Sequence, residues 1–502
     1  MPLIPADAHD RRLISNVHPL DWRNPQPSGR YNLVAVGGGT AGLVSAAASA
    51  GLGAKVALIE RELMGGDCLN FGCVPSKALL RAARAVADAR QAGRYGAVIS
   101  GTVVADFSAV MERMRRLRME LSEKDSVSRF RALGVDVFIG AARFSGHDSI
   151  EVGSHTLRFS RAVIATGSHA AALPIQGLAQ TGFLTNETIF SLTTLPGRLA
   201  VIGAGPLGCE LAQAFSRFGS QVTLLEAEPS ILPREDAEAA QVVRQALEHD
   251  GIEILESCRI QSVHAAEREK IVKLEWPSGF RELPCDELLV GAGRLPAVEG
   301  LGLEAAGVEY DRRTGVKVDD QLRTSNRRIF AAGDVCSPYK FTHLADAMAR
   351  IVVRNALFYG RERFAALTVP WCTYTDPEIA HVGLYDHEAV RRGIAVQTFV
   401  QPLSDVDRAV LDGETEGFLK IHVRQGTDQI VGATMVAKHA GEMISELTLA
   451  LGARIGLATI AGTIHPYPTQ AEAIRKIGDA YNRTRLTSRV SWLLRKWFAW
   501  MR

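Results

Sequence analysis

Short apolar runs, each cut off by glycine, set the rhythm of the first half of the chain. Leu33–Val36 is apolar at every position and ends at Gly37-Gly38-Gly39. Such a run fits a strand buried on both faces, as in a parallel sheet. Val56–Ile59 predicts a second strand, closed by Glu60. By length alone Leu33–Ile59 would pass for a membrane span. Gly37, Gly38, Gly39, Gly42, Gly51, Gly53 and Lys55 interrupt it, so strand, turn, helix and strand is the expectation. The same phrase then returns. Leu199–Ile202 runs into Gly203, and Val222–Leu225 is closed by Glu226.

The two phrases share their landmarks. Gly37-x-Gly39-x-x-Gly42 with Glu60 and Gly203-x-Gly205-x-x-Gly208 with Glu226 are offset by the same 166 residues. One such glycine triplet is weak evidence, because packing turns use glycine too. Two, each after a strand, before a helix and with an acid at the right distance, point to dinucleotide binding. The first glycine makes the tight turn, the second admits a pyrophosphate, and the third lets helix pack on strand. The phosphates then meet the helix N-terminus, and the acid accepts from a ribose hydroxyl. Two sites in one chain imply a relay between two cofactors.

Between them lies Gly65-Gly66-Asp67-Cys68-Leu69-Asn70-Phe71-Gly72-Cys73-Val74-Pro75-Ser76-Lys77. A disulfide across so small a loop would add little stability, so redox chemistry is its better use. Val74-Pro75 predicts the first turn of a helix running through Lys77, Leu80 and Arg84. A thiol at that N-terminus is biased toward the reactive thiolate. A zinc site would need further ligands nearby, and none is offered.

This segment resembles the active-site stretch of the flavoprotein disulfide reductases, the family of glutathione reductase, dihydrolipoamide dehydrogenase and mercuric reductase. Phe71 departs from the small aliphatic residue usual there. The resemblance covers about residues 30 to 485 and implies an α/β fold. Two Rossmann-like nucleotide-binding domains, for FAD and for NAD, would be followed by a C-terminal α+β dimerisation domain. The expected boundaries are an N-terminal arm (1–29), FAD domain (30–172), NAD(P) domain (173–290), FAD domain resumed (291–362), dimerisation domain (363–484) and a tail (485–502).

By resemblance Cys73 is the flavin-side thiol and Cys68 the interchange thiol. Lys77 lies beside the flavin and pairs with Glu210. Gly66, Thr166-Gly167, Gly293 and Gly333-Asp334 border the cofactors, with Asp334 on the ribityl chain. Electrons would pass from NADH through FAD to the Cys68–Cys73 disulfide and on to an acceptor. Glu226 favours a free ribose 2′-hydroxyl, with no arginine until Arg234, so NADH is expected over NADPH.

The substrate class turns on Thr463-Ile464-His465-Pro466-Tyr467-Pro468-Thr469-Gln470-Ala471-Glu472. Disulfide reductases of this family carry a histidine directly before Pro-Thr, with a glutamate five residues later that orients it. Here that position is Tyr467, and the glutamate is Glu472. Tyrosine titrates near ~10 and does not shuttle protons at neutral pH. Mercuric reductases are similar in having tyrosine there. The chain lacks their C-terminal cysteine pair, since no cysteine follows Cys372. His465 is read as a displaced base, a soft-metal ligand or a packed side chain. The expectation is therefore a mercuric-reductase-like oxidoreductase acting on a small molecule or metal ion. The alternatives are a dihydrolipoamide dehydrogenase-like or other disulfide reductase, or a nucleotide-binding flavoprotein without turnover. Tyr467 and Glu472 would complete the opposite subunit's site in a homodimer.

Composition adds limits. A net charge of +2 gives no reason to expect nucleic acid. Seven scattered cysteines argue against a secreted disulfide framework. The N-terminus has no signal-like apolar core, so a cytoplasmic location is expected. Val490–Arg502 predicts a basic, Trp-rich amphipathic helix, which suits either a membrane interface or docking on its own subunit or dimer mate.

Overall fold

The computed structural model describes residues 5–267 and 269–502. The chain forms two compact units, residues 1–227 with 252–367 and residues 228–251 with 368–502.

The first unit opens with α1 (Ala8–Val17), in the arm for which no element is predicted. Leu13 and Val17 are fully buried, and Asp10 and Asn16 lie on the same stripe. Next come β1 (Arg30–Val36), α2 (Thr40–Gly51), β2 (Val56–Glu60), the short α3 (Gly66–Asn70) and α4 (Cys73–Gln91). α5 (Phe107–Ser122) packs against α1. It brings Arg118 to 2.8 Å from Asp10 and Arg115 to 2.6 Å from Asp7. Arg118 also donates to the Asn70 carbonyl at 2.9 Å, between the two cysteines of the Cys68–Cys73 loop. The arm is thus a docked strut behind that loop.

β3 (Val135–Ile139), β4 (Ala142–Gly146), β5 (Ser149–Val152) and β6 (His155–Ile164) follow. They join β1 and β2 in the order β3-β2-β1-β6-β5-β4, and a later strand adds to β6. The β3-β2-β1-β6 part is parallel. Leu33 to Val36 are all buried, as a strand covered on both faces requires.

The second phrase builds a second parallel sheet. β7 (Arg198–Ile202), α6 (Pro206–Phe218) and β8 (Gln221–Leu225) lead into α7 (Ala237–His249), which falls in the other unit. β9 (Glu253–Leu255) and β10 (Glu287–Val290) complete the order β9-β8-β7-β10. The repeat extends to register, since Leu33 faces Val56 as Leu199 faces Val222. β11 (Ile329–Ala331) returns to the first sheet beside β6, and α8 (Thr342–Leu357) packs on α2.

The second unit is a five-stranded antiparallel sheet of β12 (Pro370–Thr373), β13 (Glu378–Gly383), β14 (Val396–Pro402), β15 (Phe418–Arg424) and β16 (Ile430–Ala437). Their order is β12-β13-β16-β15-β14. α9 (Ala440–Ala453), α10 (Leu457–Gly462) and α11 (Glu472–Thr484) share one core with it. Residues 228–251, expected with the NAD(P) domain, group here because α7 packs on β13 and β16. Lys420 on β15 also reaches Asp236 at 2.8 Å. The chain finishes in α12 (Ser488–Trp500), none of whose residues is buried.

Candidate active site

The two glycine-rich turns have the same geometry. Gly37 and Gly203 take φ of +110° and +98°, in the region that favours glycine. A Cβ on Gly42 would stand 1.8 Å from the Gly37 carbonyl oxygen, and one on Gly208 1.9 Å from that of Gly203. Only glycine lets each helix approach its strand this closely. Gly38 N–H donates to Glu60 Oε2 at 2.6 Å, and Ala204 N–H to Glu226 Oε2 at 2.7 Å. Gly39 and Gly205 are the N-caps of α2 and α6, and neither helix has a side-chain cap. No side chain competes for the N-terminal amides, which start at Thr40 in α2 and, past the amide-less Pro206, at Leu207 in α6, and such helix ends suit an anionic ligand.

In front of the first turn lies a cleft of about 280 Å³. It brings together Gly37, Gly39, Glu60, Gly66, Cys68, Cys73, Thr166, Gly167, Gly333 and Asp334. Glu60 also takes the Glu62 N–H on Oε1 at 2.7 Å, and burial pushes its carboxyl above the usual range. Uncapped helix ends, a carboxylate at the strand end and a cleft lined by both thiols fit a bound dinucleotide such as FAD.

Cys68 and Cys73 are free thiols. Cys73 is the first residue of α4, and its Sγ lies 3.4 Å from Thr342 Oγ1 at the start of α8. The hydrogen bond from Cys68 lowers the Cys73 thiol to about 6, with help from Thr342 and the Lys77 charge. The same bond, together with burial, pushes Cys68 up. Of the pair, Cys73 is the one whose thiolate is favoured. One turn along α4, Lys77 Nζ meets the buried Glu210 Oε2 at 2.8 Å.

The second unit holds the other candidates. Tyr467 is 70% exposed, and its hydroxyl donates to Asp407 Oδ2 at 2.9 Å. That bond holds the phenol above its ordinary range. Glu472, expected by resemblance to orient residue 467, instead accepts from Arg475 at 2.6 Å. Its buried Oε2 has no hydrogen-bond partner within the described chain. His465 is half-buried, its side chain 6% exposed, and is bonded on both ring nitrogens, Nε2 to Glu446 at 3.0 Å and Nδ1 to the Thr463 carbonyl at 3.1 Å.

Residues 31–349 match the family model described as pyridine nucleotide-disulphide oxidoreductase, and residues 369–477 match that family's dimerisation domain. The chain belongs to this family. A mercuric reductase of Bacillus cereus is 34% identical over 471 residues, 94% of this chain and 74% of that protein. A dihydrolipoyl dehydrogenase of Thermus scotoductus is 34% identical over 465 residues, 90% of this chain and 98% of that protein. Among solved structures, the Cu(II) complex of the HOCl-induced flavoprotein disulfide reductase RclA from Escherichia coli superposes with a TM-score of 0.80 at 28% identity. That match covers 89% of this chain and 99% of RclA. The protein is an FAD-dependent oxidoreductase that uses a pyridine nucleotide, and its dimerisation domain supports a homodimer.

Several cleft residues escaped the sequence reading. Asp67, whose carboxyl is raised by burial, pairs with Arg294 at 2.7 Å and accepts from Asn186 at 3.0 Å. Arg294 in turn donates to Ser168 Oγ at 2.9 Å, and Ser168 donates to Asp334 Oδ2 at 2.7 Å. Thr342 was missed as well. No spacing rule points to them, because these contacts join segments more than a hundred residues apart.

Proposed function

We propose that the protein is a mercuric-reductase-like enzyme that takes electrons from NADH and delivers them through the Cys68–Cys73 pair to a soft metal ion or a small disulfide. When bound, FAD supplies two-electron transfer between the nicotinamide and the cysteine pair. The observation that carries the reading is an asymmetric dithiol facing a dinucleotide cleft, with a tyrosine where a proton-shuttling histidine would assist disulfide exchange. Cys73 keeps the thiolate on the cofactor side, and Cys68, holding its proton, is the thiol offered to the acceptor. Lys77, held by Glu210, places a cation beside the thiolate. Two electrons open the Cys68–Cys73 disulfide to the dithiol. The pair then either reduces a substrate disulfide, releasing two thiols as the Cys68–Cys73 disulfide re-forms, or gives up the Cys68 proton to solvent, binds Hg(II) as a dithiolate and releases Hg(0) as that disulfide re-forms. The metal route needs no proton donor at residue 467.

The remaining roles follow the same reading. Glu226 at the end of β8 suits the free ribose hydroxyls of NADH. Asp334, Thr166, Gly167 and Gly293 border the cofactors, and the reading divides the chain into an FAD domain (30–172 and 291–362), an NAD(P) domain (173–290) and a dimerisation domain (363–484), although residues 228–251 pack with the last of these. In a cytoplasmic homodimer, Tyr467 and Glu472 complete the opposite subunit's site. α12 gives the protein a peripheral hold on a membrane.

A second reading rests on one contact. His465 and Glu446 form a histidine–carboxylate pair at 3.0 Å, the arrangement of an oriented base in a lipoamide-type reductase. Assaying the FAD-loaded enzyme with NADH and Hg(II), lipoamide, glutathione disulfide or quinones separates the two. The proposal expects Hg(II) turnover with weak disulfide reduction, raised by Tyr467→His. General acid–base help is worth roughly 10²–10⁴ in rate. Rapid lipoamide reduction abolished by His465→Ala would establish the second reading instead.

A further inference from the structure

We propose that α12 lies along the surface of an anionic membrane and recruits the enzyme there. At 100° per residue, Val490, Leu493, Leu494, Trp497, Phe498 and Met501 fall on one face of the helix. Arg489 and Lys496 line one edge of that face, and Arg495 and Arg502 line the other. Every one of the six apolar side chains is exposed, from 38% at Leu494 to 62% at Met501. Trp500 widens the face and is 77% exposed. Thr487 accepts from Val490 N–H at 3.4 Å at the helix N-cap, so the helix is defined although none of its residues is buried by the described chain.

Charge selects the occupant. Between Ala480 and Arg502 there are six arginines and lysines and no aspartate or glutamate. The whole chain carries only +2, so all that precedes this segment is net negative. The net positive charge is therefore concentrated on one helix and its approach. A second copy of α12 would bring like charges together and offers no carboxylate to pair with. Phospholipid headgroups supply the missing anions along both edges at once. Lysine and arginine reach them with the charged head while the stem lies on apolar surface. Tryptophan prefers the same interfacial depth, and three of the chain's six tryptophans are Trp492, Trp497 and Trp500. Lys496 already lies over the Trp492 ring, 5.8 Å from its centre. Thirteen residues span about 20 Å, too short for a hydrocarbon core of about 30 Å. No described helix is long and apolar enough to cross a membrane. The helix must lie in the plane.

The test is flotation of the FAD-loaded enzyme with vesicles of equal parts phosphatidylglycerol and phosphatidylcholine, beside pure phosphatidylcholine. Binding is expected only to the anionic vesicles, weakening as salt is raised. Each basic residue near such a surface is worth roughly fivefold in binding constant. The triple variant R489E/R495E/K496E should therefore lose at least about 10²-fold. Trp497→Ser with Phe498→Ser, which leaves the charge intact, should also release the protein, and NADH oxidation should stay unchanged in both variants. Equal binding to neutral vesicles, or none to anionic ones, overturns the proposal. So does a sedimentation shift from dimer to monomer on deleting Val490–Arg502 without any loss of vesicle binding, which would make α12 a subunit contact.

Discussion

The two glycine-rich crossings are one piece of backbone used twice, and they differ in what lies against them. At the first, a Cβ on Gly66 would come within 2.6 Å of Gly39 Cα, so the loop carrying Cys68 closes directly onto the cradle. At the second, a Cβ on Gly205 would meet nothing within 4 Å. The shared part is what any dinucleotide requires: a left-handed turn, helix pressed on strand, and a carboxylate holding a loop amide. The difference suits a cofactor that stays beside the redox pair in one case and a nucleotide that comes and goes in the other.

Glycine substitutions break this comparison most forcefully. Gly42→Ala places a methyl 1.8 Å from a carbonyl oxygen. That exceeds the ordinary overpacking cost of ~1–3 kcal/mol, so the protein should purify without flavin. Gly66→Ala should likewise cost FAD content, because it opens the cradle. Gly205→Ala should retain full flavin and an intact fold and raise only the KM for NADH. Flavin absorbance per protein together with NADH kinetics checks all three. Equal flavin loss at Gly205 would end the distinction between the crossings.

A smaller effect is expected at the thiols. With Cys73 lowered to about 6, its thiolate is present above that pH and disappears as pH falls through it. The long-wavelength thiolate-to-flavin absorbance of the two-electron-reduced enzyme should follow the same curve. Cys68→Ala should leave the band but move its midpoint upward, since the bond from Cys68 is the largest lowering influence. Cys73→Ala should remove it. The reverse pattern would exchange the roles of the two cysteines.

The smallest change probes the second crossing alone. Glu226→Arg should shift preference toward NADPH by trading a ribose-accepting carboxylate for a phosphate-binding cation. The ratio of kcat/KM for the two nucleotides reports it. An unchanged ratio would place nucleotide choice elsewhere in the cleft.

The chain announces its local features and conceals its distant ones. Gly37, Gly203, Glu60 and Glu226 were legible because each acts within one strand–turn–helix phrase, where spacing is geometry. Cys68, Cys73 and Lys77 share one loop and helix and were equally plain. Lys77 needed the family resemblance to find Glu210, 133 residues away. Nothing in Ala8–Val17 hints that Asp10 meets Arg118, or that Arg118 then braces Asn70. Tyr467 stood out as a departure, yet its partner Asp407 lies 60 residues earlier, where no spacing rule reaches. The grouping of 228–251 with the second unit depends on packing by α7, which no local pattern encodes.

The central claim is that electrons entering the protein reach a working Cys68–Cys73 couple as well as the flavin. Anaerobic dithionite titration of the oxidised, FAD-loaded enzyme tests it directly. The account predicts uptake of two electron pairs per FAD, falling to one in Cys73→Ala and in Cys68→Ala alike. Uptake of a single pair by the wild-type protein would contradict it.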